Sequence, residues 1–295
     1  MKSPIDPTTR SGPRRQGYWD WRAAGNFIGG GSGGGLLFLG ALAAAFGADF
    51  RPLALLGLCL IGGGLLCVWL EIGKPWRALN VFRHFATSWM TREASVAPLV
   101  MVAGAVCLFA PHPLATAAAG LLGLAFVYSQ GRILAADKGI PAWRHPLCMP
   151  LLVVTGLAEG MGLLALAAAS PFVAFEAGAW PVPVLAATLA TLAILRAAVW
   201  RRYRAGLEAA GAPAGTRREL AAIERRFLAL GFWIPLASAP AALLLPAGTL
   251  WAAAGGACAT AAGWLLKYTL VRRAAFTQGF SLPHLPVRGQ PRTAH

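Results

Sequence analysis

The stretch PLALLGLCLIGGGLLCVWLE, residues 52–71, decides the fold class, because it is apolar throughout and meets its only charge at the last residue. About 20 apolar residues in a helix cross the hydrocarbon core of a membrane. Similar segments lie at 26–47, 94–111, 113–134, 148–170, 182–200, 228–247 and 250–271. None shows the alternation of a membrane β-strand. The sequence therefore predicts an all-α integral membrane protein with eight transmembrane helices, arranged as two four-helix bundles.

The composition excludes an ordinary soluble domain. Hydrophobic residues make up 57% of the chain and charged residues 13%, whereas soluble domains carry about 25% charged residues. The formal net charge of +15 could indicate a nucleic-acid partner. The charges lie in segments beside the membrane, however, where topology and anionic lipid explain them better. We therefore expect membrane lipid, and no nucleic acid, as a partner.

The Lys and Arg residues are distributed very unevenly. With eight spans, all 26 of them except Arg51 are predicted on one side of the membrane, which we call the basic face. This count includes Arg196 and Lys267, which lie toward the ends of the sixth and eighth segments. The positive-inside rule places the basic face and both termini in the cytoplasm, and the protein in the inner (cytoplasmic) membrane.

This topology divides the chain into four parts. They are a basic cytoplasmic arm over 1–25, the first four-helix bundle over 26–147, the second over 148–271, and a cytoplasmic tail over 272–295. The second bundle contains the longest cytoplasmic connection, 201–227. Within that connection, Thr216 and Glu219 have the spacing of a capping box at the start of a helix.

Metal centres are not expected in this chain. Iron–sulfur and zinc sites need clustered ligands, and the five cysteines include no CxxC pair. A haem buried in a bundle needs histidines at membrane depth, and the five histidines all lie in predicted loops or in the tail. We therefore predict no metal ligands and no haem.

The densest polar group lies between the second and third spans. It reads EIGKPWRALN over 71–80 and SWMTRE over 88–93. Glu71 and Glu93 end and begin neighbouring spans, so we expect them at similar depth. Ionisable groups at a membrane edge are costly unless they are paired or functional. Two interpretations stay open: salt bridges to Lys74, Arg77 or Arg92, or proton exchange beside a bound redox carrier.

Three further features could be structural or functional. Arg132, near the end of the fourth span, is expected to turn inward to a carboxylate or a carbonyl oxygen. Glu159 lies midway along the fifth span, so it either hydrogen-bonds a neighbouring helix or forms part of a proton path. The glycine-rich stretch 29–35 of the first span permits either tight helix packing or a wall for a flat ligand ring.

These polar clusters resemble the signature of the membrane anchor subunits of molybdopterin oxidoreductases, the dimethyl sulfoxide, polysulfide and nitrite reductase anchor family. The family pattern is His-Leu-Gly-x-Pro, a bulky residue and Arg, followed by Ser-x-x-(Ser/Thr)-x-Glu. This chain has Glu71 where many members have the His. Arg132, nine residues before Pro141, also resembles the family. The resemblance covers the first five spans, and the last three match only in number and hydrophobicity.

The resemblance implies a bundle without cofactors of its own. It would dock an iron–sulfur subunit and a molybdopterin catalytic subunit, and exchange electrons with menaquinone or ubiquinone. The substrate active site would then lie in the catalytic subunit. The resemblance also implies proton exchange by Glu93 with Glu71. Quinone binding or support is expected from Asn26, Trp76, Arg77, Asn80, Trp89, Arg132 and Trp143.

The predicted topology puts the docking motifs on the basic face and so favours a cytoplasm-facing complex. The ends of the chain, over 19–27 and 278–289, look most like the phenylacetyl-CoA:acceptor oxidoreductase type. Anchors of sulfite-oxidising and dimethyl sulfoxide reductase-type complexes are alternatives. A secondary transporter, which would work alone and use Glu159, and a tether without a quinone site also stay open.

Overall fold

The fold is a bundle of membrane-length helices. The computed structural model describes residues 12–71, 81, 85–171 and 182–279. This part of the chain contains no extended strand, and Arg15 and Phe276 form an isolated bridge. It contains 8 helices with the length and hydropathy to cross a membrane. The predicted all-α fold with eight transmembrane helices is therefore confirmed.

The helices are numbered along the chain. α1 to α4 are Trp21–Ala44, Phe50–Glu71, Trp89–Phe109 and Pro113–Ala136. α5 to α7 are Pro141–Arg144, Cys148–Ala168 and Val182–Ala209. α8, Ala214–Leu228, continues through a π-helical turn, Ala229–Trp233, into α9, Ile234–Leu244, and together they form one span. α10, Gly248–Tyr268, ends in a second π-helical turn, Thr269–Arg273.

Polar residues just before the spans fix where two of the helices begin. The Asp20 carboxylate accepts a hydrogen bond from the Arg22 backbone N–H (2.7 Å), so α1 begins ahead of the predicted start at residue 26. The Ser88 hydroxyl accepts from the Thr91 N–H (3.4 Å) at the start of α3. Such caps satisfy N–H groups that the start of a helix leaves unpaired.

The connection predicted over 201–227 is mostly helix, because α7 and α8 both extend into it. The turn between them spans only 210–213. The capping box predicted for Thr216 and Glu219 is wrong. α8 begins before Thr216, whose hydroxyl is buried and donates to the Ala274 carbonyl oxygen (2.8 Å). This hydrogen bond ties the start of α8 to the end of the last span.

α1 occupies the centre of the bundle and touches its neighbours backbone to backbone. A Cβ atom added to Gly29 would overlap a carbonyl oxygen of α2, one added to Gly34 a carbonyl oxygen of α4, and one added to Gly35 a carbonyl oxygen of α6. Small residues permit this approach, which replaces the hydrophobic driving force that lipid does not supply. The tight-packing interpretation of the glycine stretch therefore holds for these three positions.

Two cations that we assigned to the basic face lie elsewhere. Arg196 and Lys267 are each only 1% exposed and belong to α7 and α10. The Arg196 guanidinium donates to the carbonyl oxygens of Ala259 (2.8 Å) and Gly231 (2.7 Å), the latter in the first π-helical turn. The assignment of these two side chains was wrong because hydropathy locates a span but does not show which long side chains turn into its interior.

Gly35→Val is expected to destabilise the bundle. The added side chain meets the backbone of Gly156 in α6, which cannot rotate away, and overpacking of this kind lowers the free energy of unfolding by about 1–3 kcal/mol or more. Thermal unfolding of the purified chain in mild detergent, followed by circular dichroism, measures the change.

Gly63→Val is the matched control, because a Cβ atom at Gly63 in α2 has no heavy atom within 4 Å. Both changes place the same β-branched residue within a helix, so the loss of helix propensity is common to them. Equal melting temperatures for the two variants would contradict the central packing role of α1.

Candidate functional site

A cavity of about 190 Å³ lies between the first four spans, at the end of the bundle where α1 and α3 begin and α2 ends. It brings together three of the predicted site residues, Asn26, Glu71 and Glu93. The other lining residues are mostly apolar: Trp19, Ala23, Phe27, Val68, Met90 and Ile133. The cavity therefore combines apolar walls with a small number of polar groups, which is typical of small-molecule sites.

Glu93 is the most enclosed carboxylate of the cavity, at 8% exposure. Its Oε1 atom accepts a hydrogen bond from Asn26 Nδ2 (3.2 Å). The backbone carbonyl of Asn26 in turn accepts from Gln130 Nε2 (2.8 Å), and the Gln130 amide also interacts with the Glu93 carboxylate. Two neutral amides from α1 and α4 thus hold the carboxylate of α3. Our sequence analysis placed Gln130 in a polar cluster with Arg132 but gave it no role, although an amide within an apolar span was a usable signal.

The salt-bridge interpretation of Glu71 and Glu93 finds no support in the described part of the chain. None of the ion pairs between described residues includes either carboxylate. Arg92 donates instead to the carbonyl oxygens of Phe85 (3.2 Å) and Ala86 (2.9 Å). Glu93 therefore faces the cavity without a cation among these residues.

The side chain of Asn26 has one hydrogen-bond acceptor without a partner among the described residues. Its Oδ1 atom is buried and has no hydrogen-bond partner among the described residues, while its Nδ2 atom is engaged by Glu93. A buried acceptor without a partner is costly. Asn26 is a lining residue of the cavity, and its Oδ1 atom lies toward Gly64 of α2.

Arg132 and Trp89 lie beside the cavity and do not line it. The Arg132 guanidinium carbon stands 4.8 Å from the centroid of the Trp89 ring, and that of Arg92 stands 4.3 Å away. Tyr128 meets the same ring edge-on at 5.7 Å. Trp89 thus packs against two cations and fixes Arg132 next to Ile133, which is a lining residue.

Trp143 does not line the cavity but packs against a residue that does. Its ring stacks on that of Trp19 with the centroids 4.9 Å apart, and its indole N–H donates to Leu270 O (2.9 Å). Trp19 is the ring that lines the cavity. The predictions for Trp76, Arg77 and Asn80, and for a salt bridge from Lys74, concern positions outside the described residues.

Beside the cavity, the start of α1 is tied to the end of α2. Asp20 and Arg22 form an ion pair (2.9 Å), and Arg22 also donates to the carbonyl oxygen of Leu70 (2.9 Å), next to Glu71. The hydrogen bonds from Arg22 hold the pKa of Asp20 below its usual value. These contacts connect the start of α1 with the end of α2.

Glu159 belongs to a second polar group, away from the cavity. It is fully buried in α6, and its Oε2 atom lies 2.5 Å from Lys267 Nζ and accepts from Ser32 Oγ (2.7 Å). The hydroxyl of Ser32 accepts in turn from Trp264 Nε1 (2.9 Å). The expected hydrogen bond to a neighbouring helix is present, but our sequence analysis missed the ion pair. A lone lysine within the last apolar segment was the signal for it.

No group of three or more His, Cys, Asp or Glu side chains within the described ranges is placed to hold a metal ion. The five cysteines are free, and Cys107 and Cys148 are buried. A metal site on the described residues is therefore not part of the candidate site.

Comparison with known protein families shows the family to which this chain belongs. The family model described as DMSO reductase anchor subunit (DmsC) matches residues 50–201, just over half of the 295-residue chain. The chain belongs to the DMSO reductase anchor subunit family. No curated protein matches it. Membership makes it the membrane anchor subunit of a molybdoenzyme complex, and anchors of this family generally bind quinone and pair with molybdopterin and iron–sulfur subunits.

The matched residues differ from the coverage expected from the motifs. The match begins at α2 and extends through most of α7, so it omits the first span and includes the sixth. Glu71, Glu93 and Arg132 lie within the match. Asn26 and Lys267, which hydrogen-bond Glu93 and Glu159, lie outside it.

Lys267→Met alone is expected to lower the free energy of unfolding by about 3–5 kcal/mol, because it leaves the Glu159 carboxylate buried without its cation. The double variant Glu159→Gln/Lys267→Met removes both charges and is expected to regain most of that loss. Chemical unfolding in mild detergent measures both. Lys138→Met, at an exposed position, is the control, and a double variant less stable than Lys267→Met would contradict the pairing.

Proposed function

We propose that the chain is the quinone-binding, electron-transferring anchor of a cytoplasm-facing complex, and that the cavity around Glu93 receives the quinone head group. One observation carries this proposal: a nearly buried carboxylate, held by neutral amides, faces a cavity with apolar walls. A flat, mostly apolar ring with two polar oxygens has the chemistry to fill such a site.

The reaction at the cavity needs protons as well as electrons. Reduction of a quinone to a quinol takes two electrons and two protons, and quinol oxidation returns them. The iron–sulfur cluster of the partner subunit would supply or accept the electrons. Glu93 would exchange a proton with one quinone oxygen, and Asn26 Oδ1 would accept a hydrogen bond from the quinol hydroxyl.

Glu71 would exchange the second proton with the quinone. It lines the same cavity and is less buried than Glu93, at the end of α2. A carboxylate at the mouth can exchange protons with water and with the interior of the cavity in turn. Trp19, supported by Trp143, would form a wall, and Arg132 with Trp89 would keep the wall of α4 in place.

The position of the cavity supports a partner on the basic face. The helix ends that form the cavity are those that carry the predicted docking motifs, and the excess of Lys and Arg around them favours a cytoplasmic orientation. Because the two ends of the chain look most like the phenylacetyl-CoA:acceptor oxidoreductase type, we propose that complex as the assembly. Sulfite-oxidising and dimethyl sulfoxide reductase-type complexes are the alternatives. Family membership favours the anchor over the secondary transporter.

The assembly part of the proposal predicts partners that carry metals. The chain, tagged at its C-terminus and purified in mild detergent from its own membranes, is expected to recover a molybdenum protein and an iron–sulfur protein. Metal analysis and protein identification on the eluate measure this. A stable, metal-free single chain would contradict the anchor function and favour the transporter.

The quinone part predicts a selective effect of Glu93→Gln. The amide keeps the size of the side chain but cannot exchange a proton, so quinone-coupled turnover of the assembled complex is expected to fall by about 10²-fold or more. Activity of the catalytic subunit with a soluble electron acceptor or donor is expected to stay at the wild-type level.

Glu208→Gln is the matched control, since Glu208 is an exposed carboxylate on the C-terminal part of α7, away from the cavity. Recovery of the partner subunits is measured for both variants, so a loss of turnover is not confused with a loss of assembly. Normal quinone turnover in the assembled Glu93→Gln complex would contradict the proposed role of the cavity.

A further inference from the structure

A second group of ionisable side chains lies inside the bundle and takes no part in the cavity. It consists of Glu159 in α6, Lys267 in α10 and Arg196 in α7, which are 0%, 1% and 1% exposed. We call it the buried charge cluster. Charged side chains within a membrane span are costly, and they mark functional sites unless structure alone explains them.

Polar groups of three neighbouring helices act on Glu159. Ser32 of α1 and Lys267 of α10 bond its carboxylate, Thr260 of α10 contacts its backbone carbonyl (3.3 Å), and Arg196 of α7 acts on it electrostatically. Among the described residues, Glu159 is the one carboxylate that acts on either cation. The cluster therefore contains two bases and one acid.

This composition makes the proton count of the cluster variable. Arg196 keeps its proton, because a guanidinium does not titrate in proteins, and its bonds go to carbonyl oxygens rather than to Glu159. With Glu159 ionised and Lys267 protonated, the cluster carries one net positive charge. Loss of one proton from the Lys267–Glu159 pair makes it neutral. The ion pair favours the first state and burial of excess charge favours the second.

One carboxylate oxygen of the pair has no hydrogen-bond partner among the described residues. Glu159 Oε2 accepts from both Lys267 and Ser32, whereas Oε1 is buried and has no partner among the described residues. A proton on Oε2 can pass to Lys267 Nζ across the 2.5 Å hydrogen bond, and a proton taken up at Oε1 reaches Nζ after rotation of the carboxyl group. Proton uptake therefore needs no rearrangement of the helices.

At two adjacent glycines of α1, the cluster lies beside the amide that helps to hold Glu93. A Cβ atom on Gly31 would overlap Lys267 Nζ, and one on Gly30 would overlap Gln130 Nε2, which bonds the Asn26 carbonyl beside Glu93. Along α1, Asn26 and Ser32 are separated by six residues, or about 9 Å. No side chain of α1 stands between Lys267 and the α1 backbone at Gly31.

We infer that the Lys267–Glu159 pair is a proton-storage site that exchanges one proton with Glu93 during quinone turnover. The inference rests on the proposed function of the cavity. When quinone takes a proton from Glu93, the pair releases its proton to Glu93 and the cluster becomes neutral. The pair regains the proton from water, or from Glu93 when quinol is oxidised. No electron moves in either step.

The first test measures titration of the pair without quinone or partners. Infrared difference spectra of the full chain in lipid nanodiscs are recorded across the neutral pH range for three proteins: wild type, Glu159→Gln/Lys267→Met and Glu93→Gln. Wild type and Glu93→Gln are expected to share carboxylate or ammonium difference bands that the double variant lacks. Identical spectra for wild type and the double variant would overturn the inference.

The second test measures coupling to the cavity in the assembled complex. The double variant keeps the volume of the pair without its charges, and its quinone-coupled turnover is expected to fall by about tenfold or more, with soluble-dye activity unchanged. Wild-type quinone turnover and an unchanged pH profile in the assembled double variant would mean that the pair only ties helices together, and would overturn the inference.

The two proposals fail separately. Normal quinone turnover in Glu93→Gln would contradict the proposed function of the cavity. The infrared titration would still test the Lys267–Glu159 pair, because it is measured without quinone. If the pair does not titrate in wild type, the proton-storage proposal is contradicted, and the proposed role of Glu93 in quinone turnover is unaffected.

Discussion

The close approach of α1 to its neighbours is the constraint on which the rest of the structure depends. Its glycines set the backbone against carbonyl oxygens of α2, α4 and α6, and lipid supplies no hydrophobic force that could replace this contact. Any side chain larger than hydrogen at Gly35 would push α6 away. The same displacement would part Ser32 from Glu159 and open the buried ion pair to lipid or water.

Both polar sites follow from that approach. Near the start of α1, Asn26 reaches Glu93 of α3 and Gln130 of α4, and a turn and a half later Ser32 reaches Glu159 of α6. Buried polar groups are costly unless they are paired. The glycine stretch therefore does two things: it brings helices into contact, and it brings amide, hydroxyl and carboxylate groups within hydrogen-bonding distance where water is excluded.

The sequence predicts the spans well and the pairings within them poorly, for a physical reason. Hydropathy sums over about 20 residues, and Glu71 and Glu93 share a cavity because both lie at the ends of neighbouring spans. The Lys267–Glu159 ion pair joins residues 108 positions apart in the sequence, and no local sequence pattern predicts that contact. Arg196 was misplaced for the same reason, since its partners are carbonyl oxygens, which every residue carries.

The residues matched by the family model do not complete either site alone. They include Glu71, Glu93, Glu159 and Arg196, but the match covers only 50–201. Gln130 of α4 lies within the match, but the other donors to the two buried carboxylates come from α1 and α10, on either side of it. A segment limited to the matched residues would leave Glu93 without its Asn26 donor and Glu159 without its Ser32 and Lys267 donors, at a cost that grows with the exclusion of water. The first and last spans therefore supply donors to the buried carboxylates of this bundle.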